Sequence, residues 1–94
     1  MLVDWNPAAR ASLWAILDFI ADRNIFAAQD LYEAIETATQ ALPLHPYLYR
    51  RGRVEGTREI VVHPNYIVVY RVASVIEIVN VLHARQQYPN SITE

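Results

Sequence analysis

Near the end of the chain, residues 81–89 read VLHARQQYP, an apolar run that closes on His83, Arg85, Gln86, Gln87 and Tyr88 before a proline. With Arg58 upstream, these residue types suit one chemistry that needs no metal. Cleaving RNA requires a base for the 2′-hydroxyl, an acid for the leaving 5′-oxygen, and cations to stabilise the charged phosphorane. His83 could serve as acid or base, since an unperturbed imidazole titrates near about 6.5. Arg58 and Arg85 could hold phosphate, and Tyr88 could stack on a base. The bland readings stand beside these: a histidine at a strand end meeting water, and Arg58 in a cross-strand ion pair with its neighbour Glu59.

Other chemistries fit less well. His45, His63 and His83 lie far apart with no i, i+4 pair, and there is no cysteine, so the pattern offers neither a zinc site nor a disulfide. Gly52 and Gly56 are the only glycines, too few for a phosphate-cradling loop. No metal and no cofactor are expected.

Charge is divided unevenly along the chain. Residues 1–42 carry a net −4 and residues 43–94 a net +2, and all eight basic residues are arginine. The sharpest electrostatic feature is Arg50-Arg51-Gly52-Arg53, which could track a nucleic-acid backbone, receive an acidic partner protein, or stand as a solvated loop.

The elements that must position these groups follow from periodicity. Leu2–Trp5 reads as a short strand. Asn6-Pro7 is a helix start, with Asn as the cap and Pro in the first turn. Leu13, Ile16, Leu17 and Ile20 then recur at helical spacing, predicting a helix over about 7–22. Arg23-Asn24 breaks it, and a second helix over about 26–41 carries Ala28, Leu31, Ile35, Ala38 and Leu42 on one stripe. From Pro43 the pattern loses its period, giving a loop with room for a short strand. Residues 57–63, 66–72 and 75–83 are rich in β-branched and aromatic residues, separated by Pro64-Asn65 and Ala73-Ser74, which predicts a three-strand antiparallel meander. Tyr66 and Tyr70, four apart on one strand, are expected in the core, and Arg71 is expected to face solvent.

The order is β-α-α-β-β-β, an α+β fold with an N-terminal helical hairpin packed on a central antiparallel sheet. The 94 residues suffice for one domain, 1–94, and a composition 53% hydrophobic and 19% charged argues against disorder. No apolar stretch approaches the roughly 18 residues that span a membrane, and the start of the chain does not read as a signal peptide. The expected location is cytoplasmic.

The segments Gly56-Thr57-Arg58-Glu59, Tyr66-Ile67-Val68-Val69-Tyr70-Arg71 and Val81-Leu82-His83-Ala84-Arg85-Gln86, with the opening VDWNPAARASLWAILDFIA, resemble the RelE/ParE superfamily of bacterial toxins over nearly the whole chain. The resemblance implies the toxin of a type II toxin–antitoxin pair, held by a cognate antitoxin in a hetero-oligomeric complex. RelE-like members cut ribosome-bound mRNA, and ParE-like members poison DNA gyrase without nuclease chemistry. On the RelE pattern, Arg58 and Arg85 keep basic positions, Tyr88 matches a C-terminal tyrosine, and Ile60 and Ile67 stand where cations are usual. His83 or His63 approximates the histidine that some relatives use for acid–base work. The sequence thus names Arg58, His83, Arg85 and Tyr88 as candidate catalytic residues of a metal-independent endoribonuclease. Arg50, Arg51, Arg53 and His63 are candidate nucleic-acid or partner contacts. The polar HARQQY end favours the endoribonuclease, and a gyrase poison is the alternative.

Overall fold

The computed structural model describes residues 1–89. Strand β1 (Val3–Trp5) leads directly into helix α1 (Pro7–Ala21). Asn6 makes the joint: its Oδ1 accepts the Ala8 N–H at 2.8 Å, while its own N–H donates to the Ile78 carbonyl at 3.0 Å. The cap therefore starts the helix and ties it to the sheet at once. Asn24 repeats the device, accepting from Phe26 and Ala27 N–H, each at 3.1 Å, to open α2 (Ile25–Gln40). The residue expected to break one helix is also the cap of the next.

A 3₁₀ turn (Leu42–Leu44) and a loop lead to β2 (Arg50–Arg51), followed by β3 (Arg58–His63), β4 (Tyr66–Val72) and β5 (Ile76–His83). The sheet order is β1-β5-β4-β3-β2. The expected meander is present. The first strand changes its character: β1 lies parallel on β5, with Val3 opposite Ile76 and Trp5 opposite Ile78, so the five-strand sheet is mixed. A parallel edge pair must be joined through a crossover, and here the helical hairpin supplies it.

Both helices cover one face of the sheet. Leu13, Leu17, Leu31 and Ile35 meet Ile60, Val68, Tyr70, Ile76, Ile78 and Val81 there. Leu13 is 1% exposed, so Leu13→Ala is expected to cost about 2–5 kcal/mol in lost transfer energy and cavity. The opposite face has a smaller cluster, Ile67, Val69 and Leu82, covered by Val79, Ala84 and Tyr88. A bulge between β4 and β5 sets Val69 against Asn80 but Tyr70 against Ile78. The Asn80 side chain accepts the Val81 N–H at 2.8 Å at that irregularity.

Candidate functional site

The register places the site residues at two ends of the sheet. Arg58 lies opposite Tyr70, which lies opposite Ile78; His63 lies opposite Tyr66, which lies opposite His83. The four steps from Tyr66 to Tyr70 correspond to about 13 Å along the strands, and Arg58 and His83 are also two strands, about 10 Å, apart across the sheet.

At the arginine end every residue of Gly56-Thr57-Arg58-Glu59 has a structural task. Gly56 has a φ of 85°, a conformation that favours glycine, and it turns the β2–β3 hairpin. Thr57 closes the turn through its N–H and Oγ1, which donate to the Val54 carbonyl at 3.1 and 2.6 Å. The Gly52 N–H reaches the Thr57 carbonyl at 2.7 Å, and a Cβ at Gly52 would collide with Thr57 Oγ1.

Arg58 Nη1 donates to the carbonyls of Tyr47 and Tyr49 at 3.2 and 2.7 Å, with its guanidinium 5.1 Å from the centre of the Tyr47 ring. The Tyr70 hydroxyl donates to the Pro46 carbonyl at 2.7 Å. Together they pin the loop before β2. Burial pushes the Tyr70 phenol above its ordinary value of 10.0, against the opposing pull of Arg58.

Glu59 corrects the expected ion pair with Arg58. Adjacent strand residues point to opposite faces, so Glu59 turns away from the helices to meet the arginine loop. Its side chain is 2% exposed, with Oε1 3.1 Å from Arg50 Nη2 and Oε2 3.5 Å from Arg53 Nε. Oε2 also accepts the Arg53 N–H at 3.0 Å. A carboxylate so buried needs such partners, and Arg50 and Arg53 are thereby held to the sheet. Arg51 is exposed, and its guanidinium has no partner among the described residues. Arg71 faces solvent as expected, its side chain 42% exposed, and bonds Glu77 Oε1 at 3.3 Å on that surface.

At the histidine end three rings form a row across the strands. The His63 and Tyr66 centroids are 5.7 Å apart, and Tyr66 meets His83 edge-on at 5.3 Å. His63 Nδ1 accepts the Asn65 N–H and His83 Nδ1 accepts the Arg85 N–H, each at 3.0 Å. Each neutral ring therefore carries its proton on Nε2. Arg85 is exposed in the turn after β5, its guanidinium without a partner among the described residues. Tyr88 goes elsewhere: its ring joins the cluster on the face away from the helices, and its carbonyl accepts from Arg53 Nη1 at 3.5 Å.

The structure thus brings together His63, His83 and Arg85, with Tyr66 between the histidines. It separately gathers Arg50 and Arg53 around Glu59, near Tyr88. It does not assemble Arg58, His83, Arg85 and Tyr88 into one site. Tyr66 packs against the main core as expected, and it also meets the two histidine rings, one of which, His63, counting outward from the Pro64-Asn65 turn sets opposite it.

A helical hairpin crossing over a five-strand mixed sheet defines a small α+β fold. Residues 3–88 match the family described as ParE toxin of type II toxin-antitoxin system, parDE. The chain belongs to this family. It is 36% identical over 88 residues to “Putative toxin Y4kP” of Sinorhizobium fredii, covering 93% of this chain and 92% of that protein. It is also 38% identical over 85 residues to “Toxin RelE2” of Caulobacter vibrioides, covering 87% and 93% respectively. Among solved structures, a chain of the chromosomal ParDE TA system from P. aeruginosa superposes with a TM-score of 0.77 at 22% identity, over 88% of this chain and 95% of that one. That likeness is one of fold. The protein is the toxin of a type II toxin–antitoxin system, whose partner is an antitoxin. Among the described residues no helix is long and apolar enough to cross a membrane.

Proposed function

We propose that this toxin arrests growth by holding a protein target, DNA gyrase, rather than by cutting mRNA, and that it does so as one domain, 1–94, in the cytoplasm. The observation that carries the reading is the separation of the four residues that nuclease chemistry would require around one scissile nucleotide. Arg58 is engaged by two carbonyls at one end, and His83 and Arg85 stand at the other. Tyr88 lies on the opposite face. A general acid and a phosphate clamp must sit within hydrogen-bond reach of one substrate. A protein-binding surface has no such requirement. On this reading His63, His83, Arg85 and Arg51 are contact residues, and Arg50, Arg53 and Arg58, held by Glu59 and by loop carbonyls, fix the shape of the surface.

The second reading, a metal-independent endoribonuclease, is favoured by the row of His63 and His83 beside Arg85, which could hold an acid, a base and a cation at one end. Inducing the toxin without its antitoxin tests the choice. Gyrase-trapped DNA breaks with filamentous cells are expected. Transcripts cut within codons, with gyrase unaffected, would overturn the proposal in favour of the nuclease.

A further inference from the structure

The end of the 3₁₀ turn and the loop after it combine two properties that the stability of the fold does not account for. The segment is exposed and apolar: Leu44, Tyr47 and Leu48 are 78%, 64% and 66% exposed, and none of them joins either core cluster. Single apolar side chains at a surface need no explanation, but three within five residues form a patch. The segment is also held. Arg58 takes the carbonyls of Tyr47 and Tyr49, and the Tyr70 hydroxyl takes that of Pro46. The Leu48 N–H closes a turn on the His45 carbonyl at 3.2 Å. Two side chains of the sheet thus fix a loop whose own apolar groups face water.

Beside this loop lies a cleft of ≈ 300 Å³ lined by Tyr47, Arg51, Glu55, Thr57 and Arg58. Arg51 and Arg58 are register partners across β2 and β3, so both side chains leave the same face of the sheet. Like charges directly opposite one another are destabilising. The loop carbonyls answer Arg58, whereas Arg51 is exposed and its guanidinium has no partner among the described residues. Glu55 lines the same cleft and makes no ion pair among the described residues.

We propose that Leu44, Tyr47 and Leu48 form, with this cleft, a docking site for an apolar segment of the target protein that carries an aspartate or glutamate to Arg51. The inference deepens the gyrase reading and rests on it. A loop fixed before encounter loses little conformational freedom on binding, and a tyrosine ring is a common anchor at the centre of an interface. The cleft is at the lower end of the range of small-molecule pockets, about 300–1,000 Å³, and suits a single side chain. A carboxylate there relieves the repulsion between Arg51 and Arg58 and can meet the fork of Arg51 with both oxygens. Nucleic acid fits this surface worse, since Leu44 and Leu48 offer nothing to phosphate and Glu55 repels it. Arg58 and Tyr70 are positioning residues here, acting through the loop they hold.

The test measures binding of the full-length toxin to purified DNA gyrase. Leu44→Ser with Leu48→Ser is expected to weaken binding at least about tenfold, and Arg51→Glu by a similar factor. Phe26→Ser removes an apolar side chain that is 72% exposed elsewhere on the molecule, and leaves binding unchanged. Hydrogen exchange across residues 44–48 of the unmodified toxin should slow in the complex, a readout that needs no variant to fold. Binding within about twofold of the parent for the loop variant and for Arg51→Glu, with exchange across 44–48 unaltered, would overturn the proposal and leave the gyrase reading standing. A loss confined to the loop variant would overturn the acidic partner of Arg51. Self-association of the free toxin that the loop variant abolishes, with gyrase binding intact, would overturn the proposal in favour of a second copy of this chain. A parent toxin that does not bind gyrase would overturn this inference together with the reading beneath it.

Discussion

The two ends of the sheet hold different ionisable residues and use them differently: arginines and glutamates at one, two histidines and one arginine at the other. At the arginine end Glu59 holds Arg50 and Arg53 and Arg58 holds two loop carbonyls, while Arg51 stays exposed. At the histidine end the backbone fixes one nitrogen of each imidazole and leaves the other for a partner, and Arg85 is exposed. Arginine therefore serves stability at three positions of one end, while Arg51 there and Arg85 at the other remain available for recognition. A cation in a sequence motif identifies a functional site only when its hydrogen-bonding groups are not already committed.

The contrast can be broken by mutation, and among the charged and polar residues of the two ends the largest change in stability is expected from Glu59→Ala. It removes a buried acceptor from two guanidiniums and a backbone N–H. A loss of about 2–3 kcal/mol should appear in urea titration, less than for a fully buried pair because Arg50 and Arg53 can regain water. Arg58→Ala should follow at about 2 kcal/mol, with the loss of two charge-assisted bonds and the contact over Tyr47. If it abolished toxicity with stability unchanged, Arg58 would belong to the working surface and the contrast would fail.

Tyr70→Phe should remove about 1 kcal/mol with the bond to Pro46. Because the folded phenol titrates above 10.0, the stability it contributes is fully present below the unfolded value and is lost as pH rises through the folded one. The parent should therefore lose stability on the alkaline side of about pH 10, and Tyr70→Phe should lack that part of the decline; identical alkaline curves would remove the cause assigned here. The smallest stability change, within about 0.5 kcal/mol, is expected for Arg85→Ala, an exposed site. Growth arrest should nevertheless fall sharply when Arg85→Ala is combined with His83→Ala. Full toxicity of that double variant would move the working surface away from the histidine end.

Much of this architecture was legible in the residues. Asn6-Pro7 with Leu13, Ile16, Leu17 and Ile20 marked α1 to within a residue at its C-terminal end, and the Pro64-Asn65 and Ala73-Ser74 breaks marked the meander. These signals are local. The parallel pairing of β1 on β5 has no local signature, since it depends on the helical hairpin returning the chain to the far edge. The hold of Arg58 on its loop is hidden for a related reason: its acceptors are carbonyls in a loop without period, which no side-chain pattern announces. Glu59 looked like the partner of Arg58 because they are neighbours in sequence, and the strand's alternation sent them to opposite faces. The candidate quartet failed to assemble because the Val69/Tyr70 bulge and the strand register fix levels along the sheet that residue types alone do not reveal.

The pairing of Val3 with Ile76 also has a consequence in time. The two partners are 73 positions apart, so β1 leaves the ribosome long before the strand it needs. At about 5–20 residues per second, it waits roughly 4–15 s for β5 to be made. During that interval the helical hairpin has no finished sheet to cover. A newly synthesised toxin is therefore expected to acquire its shape late and as a unit, leaving a short window in which antitoxin already present can meet a chain that is not yet able to act.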